Sequence, residues 1–382
     1  MRPSCTDLLR AGFSFAVIAG LAALQGCGVA DGYGVAGVAR THSYFYVANY
    51  NSSTVASFQL ENGVMSRSAT SRTTGSGTSN PIFGASKFRL PYFYLANFIS
   101  GNISTYSVAQ MTADLPSELS NSSLISAGPG ISSLTFHPTL GKLYATYSNQ
   151  GGQNVVAFSV DSASGVLGTW STAAAGVNPY SSAVTPSGSY LYVANAGSNN
   201  VSGYSVNPST GSLTSLGAAT SVGNTPRSLL MDPLGRYLYA LNESSGTIHA
   251  FSIQANGSLS AVAGSPFNSG MSGPIRMAIH PSGNTLFVAN NTGNTITTYG
   301  ISASTGALSL VATLTPSGLT QPYGMAVDPM GTSLVVAFAG EEKVAAFEIN
   351  SFLGTLTGVS SGTQDVGTGP RNITFVQLER TE

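Results

Sequence analysis

Three arginines and one glutamate are the side chains in this sequence best suited to hold or activate a substrate. Arg227, Arg276 and Arg371 each follow a proline by one or two positions (Pro226, Pro274, Pro370) in segments that recur along the chain. Only 14 Lys and Arg and 15 Asp and Glu occur among 382 residues, so three guanidiniums at matching positions form a local concentration of charge. A guanidinium offers a planar fork of donors that fits a carboxylate or phosphate bidentately. The position after the proline is Tyr180, Arg227, Ile275, Tyr323 or Arg371, and the next is Ser181, Ser228, Arg276, Gly324 or Asn372. A second recurring segment ends in Asn49, Asn97, Asn195, Asn242 or Asn290, and Glu243 follows Asn242. Glu243 is therefore the candidate catalytic residue, as a general base for water or as the partner of Arg227. Arg227, Arg276, Arg371, Tyr180, Tyr323, Asn195 and Asn242 are the candidate ligand-binding residues. Recurrence of the asparagine in most segments argues in addition for a shared structural job, capping the end of a strand.

Histidine offers less. Of the four, His137 and His280 immediately precede a proline in a different turn, in a slot otherwise held by Thr185, Asp232 and Asp328. All of these side chains can accept a hydrogen bond there. His249 falls in an alternating strand and His42 precedes the first one. No histidine mechanism, metal or haem is expected, and no cofactor. Phosphate-cradling loops, zinc-ligand spacings and a serine nucleophile elbow are also missing from the sequence.

The elements that must position these residues are repeats. Tyr190 to Asn195 reads YLYVAN, and related runs end at positions 49, 97, 147, 195, 242, 290 and 338, in steps of 48, 50, 48, 47, 48 and 48. Each unit holds four strand-length runs, A to D, separated by Pro, Gly, Asn and Ser turns such as Pro186-Ser187-Gly188 and Thr210-Gly211. Run B is apolar throughout, C alternates, and A favours small residues suited to a crowded axis. Four antiparallel strands in about 48 residues is the pattern of a β-propeller blade. The expected fold is all-β, a seven-bladed β-propeller over residues 44–382. The first unit lacks an A run, and the chain finishes with a surplus one, Gly369 to Val376. The C-terminal strand should thus complete the first blade and hide its edge. A β-solenoid, the competing architecture, would leave both ends open. In an A–B–C–D blade the start of A and the end of B lie on one face, so all the candidate residues should share a channel mouth. Trp170 is expected in an outer D strand.

The YVAN run, its C strand and the Thr-Gly turn resemble the YVTN repeat, and the whole resembles the seven-bladed lactonase-like propellers of the 6-phosphogluconolactonase type. That resemblance implies a lactone hydrolase. In the family pattern Arg227 and Asn242-Glu243 match an arginine after proline and an Asn-Glu after strand B. Ser181 and Ser228 stand where the pattern has histidines, and Asn291 where it has an arginine, which implies a degenerate catalytic set.

The first 26 residues read as a signal peptide, with Arg2 and Arg10 ahead of a 14-residue apolar run, Ala11 to Leu24. Leu24-Gln25-Gly26-Cys27 resembles the lipobox of bacterial lipoproteins, with Cys27 as the lipidated residue and 27–43 as a tether. Cys5 and Cys27 are the only cysteines, so the mature domain is expected to have no disulfide. A formal charge of −1 with no basic run argues against nucleic acid. These features lead to an expected monomer, exported and lipid-anchored to a bacterial membrane (outer membrane, periplasm or cell surface). It would serve as a binding or interaction module for a small anionic or sugar ligand, or for an envelope protein or polysaccharide. The alternative is a lactone hydrolase acting on a small anionic sugar derivative.

Overall fold

The computed structural model describes residues 43–61, 63–67, 72–73, 80–86, 90, 92–107, 130–148, 155–270, 272–350 and 352–377. The expected signal peptide, the lipidation at Cys27 and the tether up to residue 42 lie outside the described residues. Seven antiparallel sheets make seven blades. Blade 4 is Pro179–Val184, Tyr190–Asn195, Asn200–Val206 and Leu213–Ser215, strands A to D in chain order. Innermost strands Pro81–Ser86, Ile131–Phe136, Pro226–Met231, Pro274–Ile279 and Pro322–Val327 open blades 2, 3, 5, 6 and 7. In blade 2 the described residues supply three strands. Leu167–Ala173, the D strand of blade 3, contains Trp170.

The ring closes as the unmatched ends require. Ser43–Asn49, Thr54–Glu61 and Val64–Arg67 form the outer part of blade 1, and Pro370–Gln377 adds its innermost strand, Phe45 facing Phe375 and Tyr46 facing Thr374. The first strand begins at Ser43, one residue before the expected boundary. Innermost strands of successive blades touch one another all the way round, blade 7 meeting the C-terminal strand. No barrel or sandwich edge is left at the seam.

Strand B is apolar throughout because both its faces are interfaces. Side chains of a strand point alternately to its two sides. Leu191 and Val193 pack toward blade 3, with Tyr144 and Val155, while Tyr192 and Ala194 pack toward blade 5, with Leu229 and Leu238. Each of the seven apolar clusters spans one pair of adjacent blades in this way. The core is therefore divided among blade interfaces instead of lying at one centre.

The third residue of the motif has a further role. Tyr94, Tyr144, Tyr192 and Tyr239 donate their hydroxyls to the carbonyls of Gly165, Gly211, Gly257 and Gly306, each in the C–D turn of the next blade. These bonds are buried and 2.7–2.9 Å long. His137 and His280 link neighbouring blades at the opposite face, through Nε2 to the carbonyls of Gly188 and Gly331. Asp232 and Asp328 occupy the same slot and accept from backbone N–H groups of their own turns. A buried carbonyl that loses its donor carries a desolvation penalty of about 1–3 kcal/mol. Tyr192→Phe should accordingly lower stability by about 1–2 kcal/mol in equilibrium urea unfolding, with the m-value unchanged.

Candidate functional site

Each blade builds the same corner at the channel mouth. A residue in the left-handed region comes first: Asn80, Gly130, Asn178, Thr225, Gly273, Gln321 and Gly369, at φ of 49° to 99°. The first residue of strand A follows, a proline in six blades and Ile131 in blade 3. The next residue is skipped by the pairing between A and B. Ser181 faces Ala194 and Pro179 faces Asn195, so Tyr180 is left out as a β-bulge. The same register shift leaves out Ile82, Ser132, Arg227, Ile275, Tyr323 and Arg371. A bulge bends the strand and re-aims the extra side chain. The carbonyl of the left-handed residue then accepts from the residue just past strand B, as Thr225 does from Glu243 at 3.0 Å and Gly369 from Tyr50 at 2.8 Å. The bulge residue and the residue after the asparagine thereby become neighbours within one blade.

This corner explains the contacts. In blade 5, Arg227 Nε donates to Glu243 Oε2 at 2.6 Å. In blade 1, the Arg371 guanidinium lies 4.5 Å from the centre of the Tyr50 ring. Contacts between blades complete the set. Arg227 stands 4.5 Å over the Tyr180 ring of blade 4, and Arg371 stands 4.6 Å over the Tyr323 ring of blade 7 while its Nη1 donates to the Tyr323 hydroxyl at 2.7 Å. Tyr323 and Tyr180 lie close enough to influence each other's ionisation. Blades 4 and 7 lie on opposite sides of the ring, so the Glu243–Arg227–Tyr180 contacts stand across the axis from the Tyr323–Arg371–Tyr50 contacts.

Arg276 is the third residue of its strand A and points inward, 5.4 Å from the Phe83 ring across the channel. It is only 6% exposed. Among the described residues it makes no ion pair, and its Nε has no hydrogen-bond partner. A buried cation in that state is costly unless an anion completes it. Among the described residues three guanidiniums face a single carboxylate at the mouth, a surplus of two positive charges.

The two phenols respond in opposite senses. For Tyr180, burial opposes ionisation, but the Arg227 and Arg276 charges outweigh it and hold the hydroxyl below the ordinary tyrosine range. Tyr323 is pushed up to about 12 by burial and by Tyr180, against the pull of Arg371 and Arg276. Both residues are half-buried.

Of the expected site residues, Tyr180, Arg227, Glu243, Arg276, Tyr323 and Arg371 come together. Asn195 and Asn242 do not, and their assignment to ligand binding is corrected. Both are fully buried. Asn195 Nδ2 donates to Asn200 and Ser202, and Asn242 Nδ2 to the Ala240 and Thr247 carbonyls, so each amide closes the B–C turn of its own blade. Ser181 and Ser228 are also buried, and Ser181 Oγ accepts from Leu229 N of the next blade at 3.0 Å. These hydroxyls belong to blade packing. Tyr50 and Phe83 escaped the sequence reading. Tyr50 occupies the Glu243 slot and Phe83 the Arg276 slot, so extending the slot comparison to the first two blades would have found them.

Beside Glu243 a cleft of about 780 Å³ opens between blades 5 and 6, lined by Ser244, Ser245, Thr247, Asn268 and Ser272 among others. Its polar lining is hydroxyl and amide, with Glu243 as the one charged side chain. Thr225, which holds the Glu243 backbone, has φ of 57°, an unfavourable value for a β-branched residue. Asparagine fills this position in blades 2 and 4. Thr225→Asn is expected to raise thermal stability by about 1 kcal/mol, read by calorimetry.

With this geometry in hand, the comparisons with known proteins are informative. The family model described as lactonase, seven-bladed β-propeller, matches residues 85–225, 182–271 and 219–375, overlapping as repeats do. The chain belongs to this family. Three solved structures show the same fold. A candidate 6-phosphogluconolactonase of Bacteroides fragilis is 19% identical with a TM-score of 0.73, over 89% of this chain and 99% of its own. The periplasmic gluconolactonase of Pseudomonas aeruginosa is 20% identical with a TM-score of 0.70, over 88% and 99%. A Lactobacillus plantarum protein is 17% identical with a TM-score of 0.74, over 88% and 100%. Among curated proteins none matches the chain in sequence. The lactonase fold favours the hydrolase reading over the interaction module first expected from the lost histidines.

Proposed function

We propose that this propeller is a lactone hydrolase acting on a small sugar lactone that carries a carboxylate or phosphate. The observation that carries the reading is Arg276, a buried and under-bonded guanidinium at the mouth of a lactonase-family channel. Two jobs follow from its position and that of Arg227. One guanidinium clamps the anionic group of the substrate, and the other polarises the lactone carbonyl and stabilises the oxyanion formed when water adds. Glu243 orients Arg227 through the 2.6 Å bond. The hydroxyl-lined cleft beside it suits the polyol part of a sugar. An exported, lipid-anchored location through Cys27 belongs to the same proposal, and the periplasmic gluconolactonase of similar fold is consistent with it. A Cys27→Ser protein should then lose its membrane association.

The test is turnover of a panel of aldonolactones by the purified protein. The panel contains neutral, carboxylated and phosphorylated members, followed by the acid released at constant pH. Hydrolysis that prefers an anionic member over its neutral analogue is the expected result. Absence of hydrolysis across the panel, with capture of a polysaccharide or envelope protein instead, would return the chain to the interaction-module reading.

A further inference from the structure

Blades 5 and 1 build the same corner around an arginine, and the corners differ in what stands beside it. Thr225-Pro226-Arg227 and Gly369-Pro370-Arg371 each place the arginine as the bulge of strand A. The carbonyl ahead of the proline accepts from the residue just past strand B, Glu243 N at 3.0 Å in blade 5 and Tyr50 N at 2.8 Å in blade 1. Each guanidinium lies over the bulge tyrosine of the preceding blade, Arg227 at 4.5 Å from Tyr180 and Arg371 at 4.6 Å from Tyr323. The slot past strand B makes the difference. In blade 5 it holds Glu243, whose carboxylate accepts from Arg227 Nε at 2.6 Å. In blade 1 it holds Tyr50, whose ring centre lies 4.5 Å from the Arg371 guanidinium.

Arg371 is thus a fixed cation with no carboxylate beside it among the described residues. It makes no ion pair there, and its guanidinium makes one hydrogen bond, Nη1 donating to the Tyr323 hydroxyl at 2.7 Å. A guanidinium has five N–H donors, so most of them stay open. Two tyrosine rings within cation–π distance hold the group in place without neutralising its charge. Tyr50 is itself anchored, its ring packed on Phe98 with centres 6.5 Å apart and its carbonyl accepting from Asn80 Nδ2 at 3.0 Å. A donor fork fixed before binding loses little freedom when an anion arrives. Arg371 is half-buried, so a ligand can reach it. It stands across the axis from Glu243, the carboxylate of the mouth, which keeps a bound anion away from like charge.

We propose that Arg371 is the specificity-determining arm of the anion clamp: the open edge of its guanidinium takes two oxygens of the phosphate or carboxylate that the substrate carries. The substrate class rests on the lactone-hydrolase reading; the anion receptor does not. Arg227 has its charge matched by Glu243 and Arg371 does not, so the preference for an anionic over a neutral lactone is set in blade 1.

Calorimetric titration of the protein with inorganic phosphate and with acetate tests the receptor and shows which oxyanion it takes. Arg371→Gln should weaken binding of the preferred anion by about 10–100-fold. Tyr50→Glu copies blade 5, gives Arg371 a carboxylate of its own, and should weaken binding by at least about tenfold. Tyr50→Phe keeps the ring and should bind within about twofold of the wild type, which separates an added charge from a lost ring. In Arg371→Gln and Tyr50→Glu the ratio of kcat/KM for an anionic lactone to that for its neutral analogue should fall about tenfold or more. Arg371→Gln and Tyr50→Phe decide the matter even where Tyr50→Glu fails to fold. A wild type that binds neither anion, or an affinity unchanged in Arg371→Gln and lost in Arg276→Met, would overturn this assignment and leave lactone hydrolysis to the turnover panel. Anion binding through Arg371 in a protein that opens no lactone would end the hydrolase reading and keep the receptor.

Discussion

Arg276→Met is expected to give a protein that is more stable without ligand and nearly inactive with it. The wild-type guanidinium is 6% exposed, has no ion-pair partner among the described residues and leaves Nε unbonded. Replacing a buried ionic group by an apolar side chain of similar length is often stabilising, by about 1–4 kcal/mol. Phe83, 5.4 Å from the guanidinium carbon, would give the methionine sulfur an aromatic contact. Loss of a donor aimed at a developing oxyanion lowers kcat by about 10²–10³-fold. Chemical denaturation and steady-state kinetics on one preparation measure both quantities. A variant that is less stable and as active as the wild type would make Arg276 a packing residue of blade 6. Gain of stability with loss of rate is the mark of a site that keeps an unfavourable charge for function.

Gly324→Ala should be the most damaging single-methyl change in the described propeller. Its Cβ would lie 2.8 Å from Asn372 Cα and 2.9 Å from the Arg371 carbonyl carbon, both backbone atoms of the neighbouring blade. Side-chain rotation cannot relieve such a contact, so the innermost strands of blades 7 and 1 must move apart. Overpacking of this kind costs about 1–3 kcal/mol. The same displacement would pull Arg371 away from Tyr323, whose 2.7 Å bond joins these two strands. A fall in melting temperature together with weaker anion binding, followed by calorimetry and ligand titration, is the expected outcome. Gly358→Ala, where an added methyl meets nothing within 4 Å, is the control and should change neither.

Small residues on strand A illustrate what pattern alone conveys. Gly324 and its counterparts mark the crowded axis in the sequence, yet nothing there says which backbone crowds them. The seven evenly spaced YVAN-type runs, the missing first strand and the surplus last one determine blade number and ring closure. This works because blades pack only on their neighbours, and each repeats one local pattern of strand and turn. Slot positions at the channel mouth were legible for the same reason, Arg227 with Glu243 above all.

The tertiary structure decided the content of the site. Asn195 and Asn242 occupy the right face but turn into their own B–C turns, where neighbouring side-chain and backbone acceptors take up their amide donors. Tyr180 reaches the axis because a register shift frees it from pairing, and a register shift depends on hydrogen bonds between strands, not on residue type. Its ring lies near Tyr323, from a blade on the opposite side of the ring. No local period encodes that proximity, since it exists only once seven blades have closed. The sequence by itself determined the scaffold and the slots. The closed ring decided which slots come together, and so placed at the mouth two phenols and an arginine that has no ion-pair partner among the described residues.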